Sequence, residues 1–160
     1  MNIRPYQEAD RASILEITEI CFEPVSIDRN IEKRFGLIGG HDWAWRKRRA
    51  VAAELDSNPG DVFVADVDGA CAGYITTRLD PDTRVACIPN LAVNPAFQKH
   101  GLGRKLIDAA VAHARSRGMR CLKIETLDQN VVGQRFYPAY GFTEVARQVH
   151  YAMPLGAGRA

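Results

Sequence analysis

Apolar residues recur along this chain with two different periods, and each period predicts one kind of element. Apolar residues spaced three to four apart predict helices. The predicted helices span residues 7–21, 42–55, 103–117 and 131–140. Runs rich in β-branched residues, or alternating between apolar and polar side chains, predict strands at residues 3–5, 62–67, 71–78, 84–93, 121–126, 142–145 and 148–153. Residues 22–40 contain Pro24 and several glycines, which predict an irregular connection.

The order of these elements predicts one mixed sheet with helices packed on it. The order is β-α-α-β-β-β-α-β-α-β-β, and Asp68-Gly69 predicts a tight hairpin turn within it. The strand that begins at Cys121 follows a helix, and such a crossover returns the chain parallel to the preceding strand. We therefore predict a single α/β (α+β) domain over residues 1–160, with a mostly antiparallel sheet of about six to seven strands and about four helices.

Composition narrows the classes of protein that fit. The chain has 160 residues, of which 46% are hydrophobic and 25% are charged, as in an ordinary globular domain. A net charge of +2 is too small for a dedicated nucleic-acid-binding protein, although local basic clusters can bind a ligand that carries phosphate. The sequence shows neither the apolar run of a membrane span nor the pattern of a signal peptide, so we predict a cytoplasmic protein without a membrane partner.

The cysteines carry no sign of a metal site or a disulfide framework. Cys21, Cys71, Cys87 and Cys121 form no CxxC pair. Their surroundings are apolar or alternating, unlike those of zinc ligands or of disulfides in a small secreted domain. We therefore expect buried free thiols and no bound metal.

The segment from Gln98 to Arg104 contains two glycines where a loop becomes a helix. Helix starts leave backbone N–H groups without partners, and glycine lets an anion approach the backbone closely. Lys99 and Arg104 add positive charge, so the segment predicts a cradle for phosphate. A Walker loop would need GxxxxGK followed by Ser or Thr, and a dinucleotide fingerprint would need a third glycine where Leu106 stands. The plainer alternative is that both glycines only end the loop and cap the helix.

Two longer motifs decide between these alternatives. Gln98, Gly101 and Gly103 spell Q-x-x-G-x-G directly after Leu-Ala-Val and Asn-Pro, and residues 130–142 contain an N…FY…GF segment. Together these motifs resemble the signature of the GNAT N-acetyltransferase superfamily, whose fold and activity the chain is then expected to share. The resemblance covers residues 62–142. It is loose before that range, where members of this superfamily vary because they bind their substrates there.

The resemblance implies acetyl-CoA as co-substrate and no metal or redox cofactor. The backbone of Leu91, Ala92 and Val93 would hold the pantetheine arm and the acetyl carbonyl, and Asn130 would contact the far side of the cofactor. The pyrophosphate would lie on the loop formed by Gln98, Lys99, His100, Gly101, Leu102, Gly103 and Arg104. Only the backbone of His100 is expected to take part.

Acetyl transfer to an amine needs a base for the amine and an acid for the leaving thiolate. Tyr137 matches the usual tyrosine of the superfamily and is the candidate acid, the alternative being a core aromatic residue. Glu125 is the candidate base, because its position twelve residues before Tyr137 is similar to that in ribosomal-protein alanine N-acetyltransferases. An ordinary solvated carboxylate, with a water chain as base, is the alternative.

Two residues near the candidate acid depart from the family pattern. Gly133 stands where the superfamily commonly has alanine, and Pro138 follows Tyr137 inside a predicted helix. Proline lacks an N–H and disfavours a helical conformation in the residue before it. We therefore expect a bend that re-aims Tyr137, with Tyr140 as a weaker substitute.

The resemblance also divides the domain into two functional parts. Residues 84–142 are expected to form the acetyl-CoA-binding core, and residues 22–58 the variable substrate side. Within the second part, Trp43 to Arg49 mixes aromatic and basic residues. This mixture predicts an amphipathic helix face, a lining of the acceptor groove or, least of all, a nucleic-acid contact.

These observations favour an N-acetyltransferase that moves an acetyl group from acetyl-CoA to a primary amine of a small molecule or a protein. Direct attack by the amine is expected, since no cysteine lies in a motif suited to an acetyl-enzyme. One alternative is a catalytically silent acyl-CoA-binding regulatory domain, which needs the phosphate cradle but neither Glu125 nor Tyr137. A nucleic-acid-binding module ranks lower, because it leaves both motifs unexplained. A homodimer is one option for the assembly.

Overall fold

The computed structural model describes residues 1–156, which contain five strands and five α-helices. In chain order these are β1 (Asn2–Pro5), α1 (Arg11–Phe22), α2 (Ile27–Phe35), α3 (Trp43–Ser57), β2 (Val62–Val67), β3 (Ala70–Asp80), β4 (Val85–Val93), α4 (Leu102–Ser116), β5 (Cys121–Ile124) and α5 (Val131–Tyr140). None of these helices is both long enough and apolar enough to cross a membrane.

The strands form one sheet in the order β1-β2-β3-β4-β5. All neighbours are antiparallel except β4 and β5, which are parallel, as the crossover through α4 predicts. The β2–β3 turn at Asp68-Gly69 has positive φ angles of 53° and 85°, as a tight hairpin turn requires. The predicted mixed α/β fold class is confirmed.

Helices cover both faces of the sheet and create two cores. On one face, α1 and α3 pack on the sheet and bury Ile14, Val51 and Tyr74 completely. On the other face, α4 buries Leu106 and Ile107. Burying a side chain of this size contributes about 1.5–3 kcal/mol. The sheet is therefore fixed between two apolar layers, which makes it a rigid base for the loops at its ends.

The structure has fewer strands and one more helix than the sequence predicts. Residues 142–145 and 148–153 form no strand, so the prediction of two strands there is wrong. A strand needs a neighbour for its backbone groups, and within residues 1–156 the outer edge of β5 has none. The predicted irregular connection contains α2, which Ser26 caps at its start and Gly36, with a φ of 74°, ends.

The four cysteines are free, but they are not all buried. Cys21, Cys71 and Cys87 are half-buried, and Cys121 is exposed. The prediction of four buried thiols is therefore wrong, most clearly for Cys121. This residue lies on β5, which is an edge strand and has a neighbour on one side only.

The strand β4 contains a bulge that changes the direction of its side chains. Its pairing moves three residues along β4, from 90 to 87, while β3 advances only two, from 76 to 78. Pro89 lies in this bulge, where a residue without an N–H is tolerated. As a result Ile88 packs in the core under α4, whereas Ala92 packs in the core under α1 and α3.

Candidate active site

A slot opens between β4 and β5, because these strands pair only over the first part of β4. The last residue of β5, Ile124, pairs with Ile88. From Pro89 to Val93 the only neighbour of β4 among the described strands is β3. One wall of the slot is therefore a free strand edge, which offers backbone N–H and C=O groups to a ligand.

Two residues of β4 direct their backbone groups into this slot. The Asn94 N–H donates to the Ala72 carbonyl at 2.9 Å, so the hydrogen-bonded pairs with β3 fall on alternate residues, Asn94 and Ala92. The residues that alternate with them, Leu91 and Val93, therefore direct their N–H and C=O groups away from β3. The Val93 carbonyl accepts hydrogen bonds from Gln98 and Cys21, so both groups of Leu91 and the N–H of Val93 remain for the slot. Ala92, the middle residue of the Leu-Ala-Val motif, places its side chain in the core.

The loop between β4 and α4 presents a row of unpaired backbone N–H groups. Lys99 and Gly101 have positive φ angles of 66° and 76°, and such a conformation turns neighbouring N–H groups into an anion-binding concavity. Within the described residues, no acceptor pairs with the N–H groups of residues 99–104. They lie at the positive end of α4, a helix of 15 residues. Six free donors in this position suit a pyrophosphate.

The side chains at the start of this loop hold it in place. The Gln98 amide donates to the Val93 carbonyl at 2.9 Å and ties the loop to the end of β4. The ring of His100 is exposed, with Nδ1 3.3 Å from the Phe97 carbonyl oxygen. Leu102 is buried in the core and anchors the first turn of α4. The side chains of Gln98 and Leu102 therefore position the backbone donors.

Gly103 and Arg104, in the first turn of α4, bring this helix against α5. A Cβ added to Gly103 would lie 3.3 Å from Cζ of Phe136, so glycine permits the close approach of the two helices. The guanidinium of Arg104 lies over the Tyr140 ring, 5.0 Å from its centroid, and donates to the Ala139 carbonyl at 3.1 Å. The loop and α5 are thus one packed unit.

Asn130 caps α5 and fixes the connection from β5. Its Oδ1 accepts a hydrogen bond from the Gly133 N–H at 3.0 Å, and its Nδ2 donates to Thr126 Oγ1 at 2.8 Å. A Cβ on residue 133 would lie 2.6 Å from that Nδ2 and 2.9 Å from the Thr126 hydroxyl. Glycine at position 133 therefore leaves the space that the side chains of Asn130 and Thr126 occupy in this arrangement.

Tyr137 lies on α5 beside the slot. The helix continues through Pro138 to its end at Tyr140, so the proline does not end it. The Tyr137 ring packs edge-on against Phe142 and borders the core to which Leu91 and Val93 also contribute. Its hydroxyl has no hydrogen-bond partner among the described residues. Burial raises the pKa of Tyr137 to about 12, so the phenol stays protonated and can donate.

The neighbouring phenol is already engaged. The Tyr140 hydroxyl donates to Asp108 Oδ1 on α4 at 2.7 Å. Burial and this hydrogen bond raise the pKa of Tyr140 to about 12 as well. Because its proton is committed to Asp108, Tyr140 is a weaker candidate than Tyr137 for the acid.

Glu125 follows directly after β5, at the end of the slot's second wall. Its side chain is 79% exposed, and its carboxylate lies 3.6 Å from the Lys123 ammonium. An exposed pair of this kind contributes little to stability. The surroundings therefore fit an ordinary solvated carboxylate as well as a base, and the role of Glu125 stays a prediction.

A cysteine that the sequence analysis did not single out touches the slot. Cys21, near the end of α1, donates from Sγ to the Val93 carbonyl at 3.3 Å. Burial raises the pKa of this thiol to about 11, so at neutral pH it is a protonated thiol and a poor nucleophile. Nothing in the sequence signals this contact, because the two residues are 72 positions apart.

Lys47 supports β4 from the face opposite α4. Its ammonium donates to Asn90 Oδ1 at 2.8 Å and lies 4.2 Å from the centroid of the Phe22 ring. Asn90 in turn donates to Thr76 Oγ1 at 3.0 Å. Burial lowers the pKa of Lys47. This chain of contacts holds β4 just after its bulge.

The other basic residues of the Trp43 to Arg49 segment have partners within the chain. Arg46 pairs with Asp28 at 3.2 Å, and Arg48 pairs with Glu19 at 3.3 Å. The Arg49 guanidinium lies 5.5 Å from the centroid of the Trp45 ring, and Trp43 is buried. The segment is thus one face of an amphipathic helix whose cations have partners within the chain, and its part in an acceptor groove stays a prediction.

Gln129 connects α2 and the turn before it to the loop that follows β5. Its amide nitrogen donates to the Pro24 carbonyl at 2.7 Å, and its oxygen accepts from Asn30 on α2 at 2.7 Å. Gln129 lies in the loop between β5 and α5, so these contacts bring the region of α2 against the β5 wall of the slot. The sequence carries no signal for this tether across about one hundred residues.

The fold and several sequences of known acetyltransferases resemble this chain. A mycothiol acetyltransferase from Thermomonospora curvata is 32% identical over 112 residues, which cover 70% of this chain and 37% of that protein. The ribosomal protein bS18-alanine N-acetyltransferase of Escherichia coli is 30% identical over 122 residues, covering 74% of this chain and 77% of that protein. The PaiA N-acetyltransferase of Thermoplasma acidophilum, solved with coenzyme A, superposes with a TM-score of 0.70 at 19% identity, covering 89% of each chain.

The share of each relative that this chain covers varies, whereas the match to a family model spans most of this chain. The chain spans 30% to 37% of the length of three mycothiol acetyltransferases and half of the Haemophilus ducreyi bS18-alanine enzyme. Residues 14–142 match the family model described as Acetyltransferase (GNAT) family. This range includes β4, the loop before α4, and α5. The chain therefore belongs to the GNAT acetyltransferase family.

Proposed function

We propose that this protein is an N-acetyltransferase that transfers the acetyl group of acetyl-CoA to a primary amine by direct attack. The observation that carries the proposal is two sets of backbone groups without partners among the described residues, one at the edge of β4 and one at the start of α4. They are the slot-facing groups of Leu91 with the Val93 N–H, and the N–H groups of residues 99–104. A linear ligand with amides at one end and a pyrophosphate at the other would satisfy both ends.

The residues present fit such a co-substrate. The six N–H groups of residues 99–104 would bind the pyrophosphate, aided by the charges of Lys99 and Arg104. Leu91 and Val93 would bind the pantetheine arm, and one slot-facing N–H would stabilise the negative charge that develops on the acetyl carbonyl oxygen. Acetyl-CoA supplies the activated thioester. Asn130 would act by fixing the loop between β5 and α5.

Tyr137 would serve the leaving thiolate as a hydrogen-bond donor. A cysteine-like thiol has a pKa of about 8.5. The pKa of Tyr137 is raised to about 12, so complete transfer of its proton to such a thiolate is uphill. A hydrogen bond that strengthens as charge develops on sulfur does not require that transfer. Glu125, or water near it, would take the proton from the amine.

The acceptor would enter from the side of residues 22–58, with residues 84–142 as the cofactor-binding core of a single domain. The tether from Gln129 to Pro24 and Asn30 supports this division, because it places α2 beside the slot. Relatives are named for mycothiol, for aminoglycosides and for the alanine of a ribosomal protein. We propose a primary amine of a small molecule or of a protein as acceptor, and a cytoplasmic enzyme.

The alternative is a silent acyl-CoA-binding domain, which would bind the cofactor without turning it over. The phenol of Tyr137 favours the enzyme, since its hydroxyl has no partner among the described residues and stays available as a donor to the leaving sulfur. A nucleic-acid-binding module is disfavoured, because the cations at positions 46, 48 and 49 are engaged within the chain.

Calorimetric titration with acetyl-CoA, together with a thiol-release screen over amines, tests the proposal. The screen should contain aminoglycosides, polyamines, amino acids and short peptides with a free N-terminus. Binding with acceptor-dependent thiol release would establish the enzyme. Binding without release for any amine would favour the silent domain, and absence of binding would overturn the proposal.

Replacing Cys21 by alanine is expected to leave kcat within about twofold of the unchanged protein, because a thiol with a pKa of about 11 does not form an acetyl-enzyme at neutral pH. Cys71 is the matched control, since burial raises its pKa to about 11 too and its Sγ also donates to a backbone carbonyl. Steady-state kinetics and mass spectrometry after acetyl-CoA treatment provide the measurements. A large loss of kcat in the Cys21 variant alone, with an acetylated Cys21 in the unchanged protein, would contradict direct attack.

Replacing Glu125 by glutamine is expected to lower kcat/KM about tenfold near neutral pH, since water partly replaces an exposed base. Replacing Lys123 by methionine is the control, because it removes the 3.6 Å ion pair and keeps the carboxylate. Steady-state kinetics should show the fall in kcat/KM only in the Glu125 variant. Equal effects of both substitutions would assign Glu125 to the ion pair alone.

A further inference from the structure

Lys47 differs from the other half-buried cations of the described chain, because it has no carboxylate partner. Among residues 1–156, the half-buried lysines and arginines that pair with a carboxylate are Arg4, Arg11, Arg29 and Arg46. Lys47 is half-buried too, but its ammonium donates to the uncharged Asn90 Oδ1 at 2.8 Å and lies 4.2 Å from the centroid of the Phe22 ring. No acceptor in this part of the chain takes its other two N–H groups.

The carboxylates that face Lys47 are already engaged by arginines. Asp28 on α2 pairs with Arg46 at 3.2 Å, and Glu54 on α3 pairs with Arg78. Both carboxylates attract the Lys47 ammonium, but neither forms an ion pair with it. Burial outweighs their attraction and lowers the pKa of Lys47. The ammonium therefore lacks a counterion, which a bound carboxylate would supply.

The Lys47 ammonium lies close to the slot, on the face of the sheet that α1 and α3 cover. Its partner Asn90 directly precedes Leu91, whose backbone groups face the slot. The length of the Asn90 side chain and one step along the backbone place the ammonium within about 10 Å of Leu91 Cα. Phe22 and Lys47 both belong to residues 22–58, the proposed acceptor side. The cation is thus placed to meet an acceptor near the slot.

We propose that Lys47 binds the carboxylate of the acceptor, and that the acceptor is a small amino acid with one or two carbons between its amine and its carboxylate. The inference rests on the proposed acetyl transfer and names its acceptor class. The amine nitrogen would bond to the acetyl carbon while the C–S bond breaks and the sulfur leaves as the CoA thiolate. The proton of the amine would pass to Glu125 or to water. The products are an N-acetyl amino acid and CoA.

The distance available suits an acceptor of this size. A charge-assisted hydrogen bond of about 2.8 Å and a near-attack distance of about 3–3.5 Å leave about 4 Å between the carboxylate and the amine. One or two carbon atoms span that distance. A carboxylate on Lys47 would therefore direct the amine toward Leu91, where the acetyl carbonyl is proposed to bind.

Other classes of acceptor would leave Lys47 without a counterion. The N-terminus of a peptide carries an amide where a free amino acid carries its carboxylate. Polyamines and aminoglycosides bring further positive charges, which a half-buried ammonium would repel. Lys47 therefore favours free amino acids over these amines.

Matched pairs of amino acids and their amides test the acceptor class. Thiol release is measured with acetyl-CoA and each common amino acid, β-alanine, the corresponding amides, short peptides and polyamines. We expect a free amino acid to be the best acceptor, with kcat/KM at least about 100-fold above that of its amide. Release with amides, peptides or polyamines that equals or exceeds release with free amino acids would overturn this inference and keep the enzyme. No release with any amine would overturn the proposed function as well.

Replacing Lys47 by methionine tests the residue itself, because it removes the charge and keeps an unbranched side chain. We expect kcat/KM for the amino acid to fall at least about 100-fold, chiefly through KM. The value for the amide and the dissociation constant for acetyl-CoA should change less than about threefold. The ratio of acid to amide is measured on one preparation, so partial unfolding does not alter it. An equal loss for acid and amide would assign Lys47 to the support of β4 alone and overturn the inference.

Two further variants serve as controls. Lys47→Arg keeps the charge and is expected to retain at least about a tenfold preference for the acid over its amide. Arg48→Met removes the next cation of α3, which is 48% exposed and pairs with Glu19, and should change that preference less than about twofold. The inference fails if Arg48→Met lowers the preference as much as Lys47→Met does, because the effect would then follow from net charge.

Discussion

Replacing Gly101 by glutamate is expected to raise the dissociation constant for acetyl-CoA at least about 100-fold, or about 2.7 kcal/mol. The reason is the position of Gly101 among the six free N–H groups before α4. A carboxylate there would compete for these donors and repel a pyrophosphate. Open space surrounds the position of a Cβ on this residue, so the fold has room for the side chain. Isothermal titration calorimetry measures the change.

Gly118 provides a closely matched control for this substitution. It follows the other end of α4, and it has a φ of 78° and open space around a Cβ, as Gly101 does with a φ of 76°. Both glutamate variants therefore carry the same cost of a left-handed backbone, about 1–2 kcal/mol in stability. Only the Gly101 variant should lose affinity for acetyl-CoA. Equal affinity in the two variants would show that the cradle lies elsewhere.

Replacing Tyr137 by phenylalanine is expected to lower kcat about 100-fold and to change the dissociation constant for acetyl-CoA by less than about twofold. The hydroxyl has no partner in the described structure, and it becomes useful only when charge develops on the leaving sulfur. Phenylalanine keeps the packing against Phe142. Steady-state kinetics and calorimetry on the same preparation separate the two quantities.

Tyr140→Phe is the control, since it removes a hydroxyl of the same helix that is already bonded to Asp108 at 2.7 Å. The kcat of this variant should stay within a few-fold of the unchanged protein, which corresponds to a change of about 1 kcal/mol or less in the activation free energy. The pH profile gives a second check. A donor must be protonated, and a pKa of about 12 keeps Tyr137 protonated as pH rises to 10. An alkaline limb near pH 9 that disappears in Tyr137→Phe would contradict the assigned environment.

The parts of the fold that follow local rules were predictable. The Asp68-Gly69 turn, the parallel return of β5 and the start of α4 depend on residues close together in sequence. The row of unpaired N–H groups before α4 belongs to this class too, because the glycines and the helix start that produce it lie within six residues. Local chemistry at one turn is enough to specify an array of backbone donors.

Contacts between distant segments were not predictable from one sequence. Cys21 reaches Val93 and Gln129 reaches Asn30 only because α1, α2 and the β5–α5 loop meet in space. No periodicity records which side chains then face each other. The helix α2 was missed for a different reason: the glycine and proline near its ends dominate the pattern, although Ser26 caps it. At residues 142–145 and 148–153 the apolar alternation is real in sequence, but no strand within residues 1–156 lies beside them.

The bulge in β4 determines which changes of sequence can alter the slot between β4 and β5. The slot exists because the pairing of β4 with β5 ends at Ile88, and the bulge, where β4 carries one residue more than β3, determines which residues of β4 face it. This choice is therefore set by the number of residues in β4 near Pro89, and replacing single side chains would leave it unchanged. Deleting one residue there would shift every later position of β4 by half a period, so that Leu91 and Val93 would turn their backbone groups toward β3.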